Sequence, residues 1–207
     1  MYKTHYRGRA LNSYTAQMLT IIYNRIRYIF QKQMDLFQMK IMHKPIENCY
    51  WVIPGRFLAG EYPRERDEES SREKINALIR SGITAFIDLT EENEGLLPYT
   101  SLLKTATHQR FPIRDVSIPS STDITIAILD AIGHQIRQGG VVYLHCWGGV
   151  GRTGVIVGCW LARHGFKGKA ALARLQELWE QCPKSEDRQS PDTNKQEQYI
   201  VNWKEAR

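Results

Sequence analysis

The sequence predicts an α/β protein with a central, mainly parallel sheet flanked by helices. Short apolar segments typical of strands alternate along the chain with longer amphipathic segments typical of helices. The apolar strand Val141–Leu144 runs into a glycine-rich turn, and a helical segment follows at once. Because such folds carry their functional loops at the carboxyl ends of the strands, we expect the functional residues directly after Leu144.

A basic segment precedes the predicted domain, which we place at residues 45–207. Residues 1–44 contain eight Lys or Arg and one acid, a balance of +7, whereas the remaining 20 basic and 21 acidic residues give −1. The basic charge therefore belongs to the N-terminal extension and does not indicate a nucleic-acid-binding catalytic face. We expect no nucleic acid among the partners.

Residues 1–40 predict an amphipathic helix with a basic side. Its apolar residues recur mostly three or four positions apart: Leu11, Tyr14, Met18, Ile22, Ile26, Ile29, Met34 and Phe37. One interpretation is a helix packed on the domain or a poorly ordered tail. A membrane-surface helix is a second. The lack of acids before Asp35 also fits an organellar transit peptide, although serine is scarce. Arg25 and Arg27 interrupt the apolar run, so we predict no transmembrane span.

The hydrophobic pattern and the turn residues define the predicted elements of the domain. Pro54–Gly55 indicates a turn between two short strands, and Ser81–Gly82 indicates the end of a charged helix. Ser121 to Asp123 precede an apolar helical run and are typical of helix capping. The predicted elements are strands 50–53, 57–59, 83–89, 108–113 and 141–144, and helices 64–80, 99–106, 125–138, 153–164 and 168–180.

The turn after the strand Val141–Leu144 has the sequence CWGGVGRTG, from Cys146 to Gly154. A helix N-terminus offers unpaired N–H groups and about half a positive charge, and glycines let successive N–H groups converge on one oxyanion. The sequence therefore predicts a phosphate site. Its wall is formed by Trp147, Gly148, Gly149, Val150, Gly151 and Arg152.

Two residues give this site its chemistry. We expect Cys146, at the mouth of the loop, to be a thiolate that attacks phosphorus. Arg152 can hold two phosphoryl oxygens bidentately, which a lysine cannot. Thr153 can donate its hydroxyl to the sulfur and ease departure of the thiolate, and His145 can orient the loop through its ring N–H.

The same turn also matches a dinucleotide-binding pattern, because Gly149 to Gly154 reads G-x-G-x-x-G between a strand and a helix. That site needs a second strand that ends in an acid about 20 residues later. The segment 169–179 is helical instead, so the nucleotide interpretation is not favoured.

The run His-Cys, five residues, Arg-Thr-Gly resembles the signature of the cysteine-dependent protein tyrosine phosphatase superfamily. Within it, the chain is similar to the compact dual-specificity type, close to the cyclin-dependent-kinase-associated phosphatases and their bacterial relatives. The resemblance implies hydrolysis of phosphoprotein substrates, phosphotyrosine first and phosphoserine or phosphothreonine as further substrates, through a phosphocysteine intermediate. It implies no cofactor and no metal.

Asp115 lies 31 residues before Cys146, in a loop. The leaving oxygen of a phosphate ester needs a proton, which a carboxyl on a mobile loop can supply before it activates water. This position resembles the superfamily's general-acid loop, although Ile113–Arg114–Asp115 replaces the Trp-Pro-Asp of the tyrosine-specific enzymes. Asp123 is the alternative acid. Gln196 matches the water-positioning glutamine of relatives, and the alternative is a plain exposed helical residue.

Two residues and the cysteines complete the list of candidates. Asp88, at the end of the strand 83–89, is either catalytic or ties down the loop that follows it, and the resemblance favours the second role. Tyr62 lies where bacterial relatives have an entrance loop, and either flanks the substrate phosphate or covers the core. The four cysteines show neither metal-ligand spacing nor a disulfide framework, which indicates a reducing compartment and a cytoplasmic protein.

Three other functions stay open from the sequence. A phosphoinositide phosphatase would be expected to carry lysine in the phosphate loop, which this chain lacks. An RNA 5′-triphosphate phosphatase would need a basic channel, which the −1 balance of the domain does not suggest. A phospho-binding module without turnover is the third, although every expected chemical group is present.

Overall fold

The computed structural model describes residues 43–205 and, before them, the helical positions 18, 22–23, 25–28 and 32. The chain divides into two compact units, Met1–Met42 and His43–Arg207. The second unit carries every strand of the described residues. The predicted boundary between residues 44 and 45 remains a prediction.

A five-stranded sheet forms the centre of the second unit. The spatial order is β1-β2-β5-β3-β4. Only β1 and β2 pair antiparallel, and the other three neighbouring pairs are parallel. The fold class predicted from the sequence is therefore confirmed. The strands are β1 (Cys49–Ile53), β2 (Phe57–Gly60), β3 (Ala85–Asp88), β4 (Thr107–Arg110) and β5 (Val142–His145).

Within residues 43–205, five α-helices flank this sheet: α1 (Glu68–Arg80), α2 (Thr122–Arg137), α3 (Gly151–Arg163), α4 (Lys169–Trp179) and α5 (Asn194–Val201). Helix α3 packs against α2, α4 and α5, and its residues 151–161 are all buried. A helix held on three sides gives the loop at its N-terminus a fixed position. That loop is the one predicted to bind phosphate.

Several element boundaries differ from the sequence prediction for local reasons. Helix α1 begins at Glu68 and not at residue 64, because the Asp67 side chain accepts a hydrogen bond from the Ser70 N–H (2.7 Å) and caps the helix there. Strand β4 ends at Arg110, two residues before Pro112, which has no N–H to pair. The predicted helix 99–106 is wrong, since only the 3₁₀ turn Thr100–Leu102 forms.

The predicted cap of the next helix is confirmed. The Ser121 hydroxyl accepts from the Ile124 N–H (3.3 Å), and α2 therefore begins at Thr122, three residues earlier than its apolar pattern suggested. Among the described residues, no helix is long and apolar enough to cross a bilayer, and no three His, Cys, Asp or Glu side chains cluster as metal ligands.

Candidate active site

The ends of three parallel strands meet at the candidate site. In the register of the sheet, His145 at the end of β5 lies beside Gly60 of β2 on one side and Asp88 of β3 on the other. The residues that follow each strand therefore emerge at the same edge of the sheet. Cys146 follows β5 at this edge and is 3% exposed.

Three carbonyl groups of the phosphate loop (residues 146–152) accept hydrogen bonds from distant parts of the chain. No backbone N–H of residues 147–152 donates to another of the described residues. Six N–H groups are thus left free at the N-terminus of α3, which is the arrangement that binds an oxyanion. The three hydrogen bonds to the loop carbonyls run from Tyr62 N–H to Trp147 O (2.8 Å), from Lys184 Nζ to Gly148 O (3.0 Å) and from Ser190 Oγ to Val150 O (2.9 Å).

Gly149 fixes the loop against the neighbouring strand. Its φ of +75° is a conformation that favours glycine, and a Cβ atom there would lie 2.5 Å from the carbonyl carbon of Gly60. The residue does not line the cavity, in contrast to the other five residues predicted for its wall. Gly149 therefore shapes the loop through its backbone.

His145 and Thr153 are both buried, the first directly before the nucleophile in the chain and the second in the first turn of α3. The Nδ1–H of His145 donates to the Cys146 carbonyl (3.2 Å), and its Nε2 accepts from the Tyr99 hydroxyl (2.6 Å). Burial, above all, lowers the pKa of His145 to about 4, so the ring is neutral near pH 7. The Thr153 hydroxyl is buried and has no partner among the described residues.

The Arg152 side chain is 1% exposed and held by backbone carbonyls and by a carboxylate. Its NH1 group donates to the carbonyls of Ile113 (3.0 Å) and Leu89 (3.4 Å), and both terminal nitrogens bond the carboxylate of Glu94. Burial opposes the charge, but the bonds with Glu94 and the nearby Cys146 and Asp115 together outweigh burial and raise the pKa of the guanidinium. Its Nε–H has no partner among the described residues, which fits a phosphoryl oxygen.

Glu94 was not among the sequence candidates. It closes the 3₁₀ turn Glu92–Glu94 after β3, where its Oε1 also accepts from the Glu91 N–H (2.7 Å). In the sequence it belongs to the acidic run Glu91-Glu92-Asn93-Glu94, which is typical of a solvated loop. The only available signal was indirect: a buried Arg152 needs a carboxylate partner.

Asp115 closes the cavity over the phosphate loop. Its Oδ1 lies 2.9 Å from NH2 of Arg152, while its side chain is 52% exposed. Cys146, Arg152 and Asp115 line one cavity of about 470 Å³. The structure thus brings together the predicted nucleophile, cation and acid. Asp123 lies in the first turn of α2 and does not line this cavity.

The rim of the cavity combines apolar and charged side chains that come from distant parts of the chain. Trp147 and Val116 are 60% and 67% exposed. Two cations of residues 183–192 also reach this cavity, and each is paired with a carboxylate: Lys184 with Glu61 (2.7 Å) and Arg188 with Asp192 (2.6 Å).

Gln196 is fully buried, so the alternative of an exposed helical residue is wrong. Its amide nitrogen donates to the Ser117 carbonyl (2.9 Å), two residues after Asp115. A Cβ on Gly151 would lie 2.9 Å from the same nitrogen, so the amide also lies directly behind the start of α3. Gln196 does not line the cavity. Its contacts fit a residue that positions the acid-bearing loop.

Asp88 holds the loop that follows it, as the second interpretation stated. Its Oδ1 accepts from the N–H (2.8 Å) and hydroxyl (2.7 Å) of Thr90, and Oδ2 faces Arg110 (3.1 Å). Burial opposes ionisation, but hydrogen bonds from His108 and Thr90 outweigh it and hold the pKa of Asp88 below its usual range. Asp88 does not line the cavity.

Tyr62 covers the core and does not reach the cavity. Its ring makes edge contacts with Tyr99 and His145, and its hydroxyl donates to the Leu97 carbonyl (3.1 Å). The remaining three cysteines are buried thiols. Burial raises the pKa of Cys49 to about 11 and also raises those of Cys159 and Cys182, so none of the three resembles a reactive thiolate.

A family model described as "Swiss Army Knife protein, DSP-PTPase phosphatase domain" matches residues 46–200. The chain belongs to this family. A phosphatase domain of the compact dual-specificity kind therefore occupies most of the second unit, and the superfamily resemblance of the His-Cys to Arg-Thr-Gly motif is confirmed.

Individual relatives agree with this assignment at lower similarity. The chain is 32% identical over 118 residues to protein 067L of Invertebrate iridescent virus 3, covering 54% of this chain and 45% of that protein. It is 30% identical over 149 residues to the phosphatidylglycerophosphate phosphatase PTPMT2 of Arabidopsis thaliana, covering 70% and 55%. The chain thus spans about half the length of these curated relatives.

The solved structure of kinase associated phosphatase, with its catalytic site cysteine substituted by serine, superimposes with a TM-score of 0.62. The two chains are 15% identical, and the match covers 77% of this chain and 94% of that one. At this identity the likeness concerns the fold alone.

Proposed function

We propose that the chain hydrolyses phosphomonoesters of phosphoproteins, with phosphotyrosine as the leading substrate, through a phosphocysteine intermediate on Cys146. One observation carries the proposal. Cys146, Arg152 and Asp115 line one cavity with four further residues of the phosphate loop, and among the described residues neither the loop N–H groups nor the Nε–H of Arg152 have a partner. This arrangement supplies a nucleophile, an oxyanion site and an acid around a single phosphoryl group.

In the first step the Cys146 thiolate attacks phosphorus as the bond to the leaving oxygen breaks. Charge on the phosphoryl oxygens is met by the loop N–H groups and by Arg152. Protonated Asp115 gives its proton to the leaving oxygen, which departs as an alcohol or phenol. Because Asp115 lies against NH2 of Arg152 in the free protein, the incoming phosphate must take over that contact.

In the second step water attacks the phosphorus of phosphocysteine. The Asp115 carboxylate accepts the proton of the water, and the sulfur–phosphorus bond breaks to release inorganic phosphate. The Thr153 hydroxyl, which has no partner among the described residues, can donate to the departing sulfur and stabilise the thiolate. The cycle returns Cys146 to a thiolate and Asp115 to an acid, and no cofactor enters either step.

The cavity rim supports an aromatic leaving group. Trp147 follows the nucleophile directly and is 60% exposed, so its ring is free to pack against a phenyl ring. A phospholipid monoester is the second candidate. The name of the Arabidopsis relative and the presence of Lys184 and Arg188 in the cavity wall favour it. Both cations are already paired with carboxylates, so we rank the phosphoprotein first.

Phosphate release from a matched substrate panel tests the proposal. The panel contains phosphotyrosine, phosphoserine and phosphothreonine peptides, a phosphoinositide, phosphatidylglycerophosphate and an RNA 5′-triphosphate, all with a chelator present. Cys146→Ser serves as the blank. We expect phosphotyrosine to be hydrolysed fastest and all activity to disappear in Cys146→Ser.

Two other results would change the assignment. Faster release from either lipid would replace the phosphoprotein by a phospholipid. Failure to hydrolyse any of the substrates, while phosphate still binds to wild-type protein and to Cys146→Ser, would identify a phospho-binding module without turnover.

A further inference from the structure

The first unit carries an exposed apolar helix face. Met18, Ile22 and Ile26 are 43%, 47% and 60% exposed. A helix turns by about 100° per residue, so these three side chains lie within an arc of about 80°. Tyr23, 63% exposed, extends the arc by about 60°. Apolar side chains aligned in this way on one helix face form a surface that is stabilised by burial.

Cations border this apolar arc on both sides. Arg25 lies about 20° before Met18 on the helix, and Arg27 about 40° beyond Tyr23. Lys32 lies on the same side as Arg25, and all three cations are exposed. No Asp or Glu occurs in the sequence before Asp35. The centre of this face is therefore apolar, and the charged residues at its borders are all basic.

The charge of the two parts of the chain is strongly asymmetric. Residues 1–44 carry +7, whereas the rest carries −1. An anionic surface therefore attracts the chain through this segment, and the phosphatase domain adds no attraction of its own. Two copies of the segment repel each other, which disfavours the same face as a dimer contact.

We propose that this helix docks the protein on an anionic lipid bilayer. The helix lies in the plane of the interface, with Met18, Ile22 and Ile26 inserted at the level of the acyl chains. The flanking Arg25 and Arg27 contact lipid phosphates. Basic residues on both flanks match a plane of head groups on either side of the helix. A protein groove would need acids along both of its walls.

Co-sedimentation of the full chain with phosphatidylcholine vesicles, with and without phosphatidylglycerol, tests the proposal. Ile22→Glu/Ile26→Glu removes the apolar character of the face, and Arg25→Glu/Arg27→Glu reverses the sign of the charge at its borders. The control Arg66→Glu/Arg80→Glu makes the same change in net charge as the arginine pair, at exposed positions of the phosphatase domain.

Wild type should bind the vesicles that contain phosphatidylglycerol and should not bind the neutral vesicles. Each N-terminal double variant should lower the partition coefficient at least tenfold, and the control should stay within threefold of wild type. All variants should hydrolyse a soluble aryl phosphate at the wild-type rate, which separates this proposal from the proposed function.

Three outcomes would overturn the proposal. Wild type is found only in the supernatant with both vesicle types, or the isoleucine variant binds the vesicles as well as wild type. In the third outcome, light scattering gives the mass of a dimer for wild type and of a monomer for Ile22→Glu/Ile26→Glu, and vesicle binding is not lost. The apolar face would then bind a second copy of the chain.

Discussion

Removing the charge of Glu94 should weaken catalysis although Glu94 lies outside the predicted motif. Glu94→Gln is nearly isosteric and can still accept from the Glu91 N–H, but it no longer offers two carboxylate oxygens to Arg152. A hydrogen bond to a charged partner contributes about 1.5–3 kcal/mol. Because Glu94 is only 14% exposed, water does not replace that bond. We therefore expect kcat/KM to fall roughly tenfold to a hundredfold, at about 1.4 kcal/mol per factor of ten.

Steady-state kinetics with an aryl phosphate and the inhibition constant of inorganic phosphate measure this effect. Glu92→Gln is the matched control, because Glu92 lies in the same turn, is 89% exposed and pairs with Arg110 (3.3 Å) away from the cavity. It should change kcat/KM by less than twofold. The reasoning is refuted if the two variants behave alike, or if Glu94→Gln lowers the melting temperature while leaving kcat/KM and phosphate inhibition unchanged.

Three other predictions concern residues around the loop. The free energy of unfolding should fall by about 3 kcal/mol between pH 6.5 and pH 4. The unfolded chain takes up a proton at His145 in this range, while the folded state, in which the pKa of His145 is lowered to about 4, does not. His145→Asn should make the free energy of unfolding depend less on pH in this range. Gln196→Ala should lower kcat roughly fivefold for an alkyl phosphate, which needs the acid, and much less for a nitrophenyl phosphate; equal losses would refute a role in positioning the acid loop. Gly149→Ala should reduce activity at least a hundredfold, because the added Cβ lies 2.5 Å from the β2 backbone. Gly139→Ala is the control, since Gly139 also has a positive φ (+82°) but nothing within 4 Å among the described residues, and it should cost only about 1–2 kcal/mol of stability.

The phosphate loop could be predicted because its determinants are contiguous. Strand, glycine turn and helix N-terminus follow one another in the chain, and Cys146, Arg152 and Thr153 lie within eight residues. Local backbone rules decide such a motif. The parallel sheet could be predicted for the same reason, since strands alternate with helices along the sequence.

Partners from distant loops could not be predicted in this way. Glu94 and Lys184 lie 58 and 36 residues from the loop atoms that they bind, and their sequence surroundings are those of ordinary charged surface. Only the folded sheet brings the segments after β3 and α4 to the same edge. Asp115 could be predicted as the acid because proton donation demands a carboxyl and the superfamily resemblance implies its place.

Side-chain direction explains the remaining differences. Gln196 and Tyr62 occur in the segments where function was expected, yet both side chains point into the protein. A sequence pattern gives the segment, but packing against Ser117 or Tyr99 decides which way each side chain points. The apolar character of residues 99–106 likewise suggested a helix. Its aromatic and aliphatic side chains instead cover the core from a 3₁₀ turn.

Direct capture of the covalent intermediate tests the central claim. With a nitrophenyl phosphate as substrate, the first step needs little help from the acid, so Asp115→Asn should slow mainly the second step. Acid quenching within the first turnover should then trap the phosphocysteine intermediate for mass spectrometry of the peptides. The account predicts one phosphoryl group on the peptide that contains Cys146, in wild type and more strongly in Asp115→Asn, and none in Cys146→Ser. Turnover without phosphocysteine, or a phosphoryl group on any other residue, would contradict it.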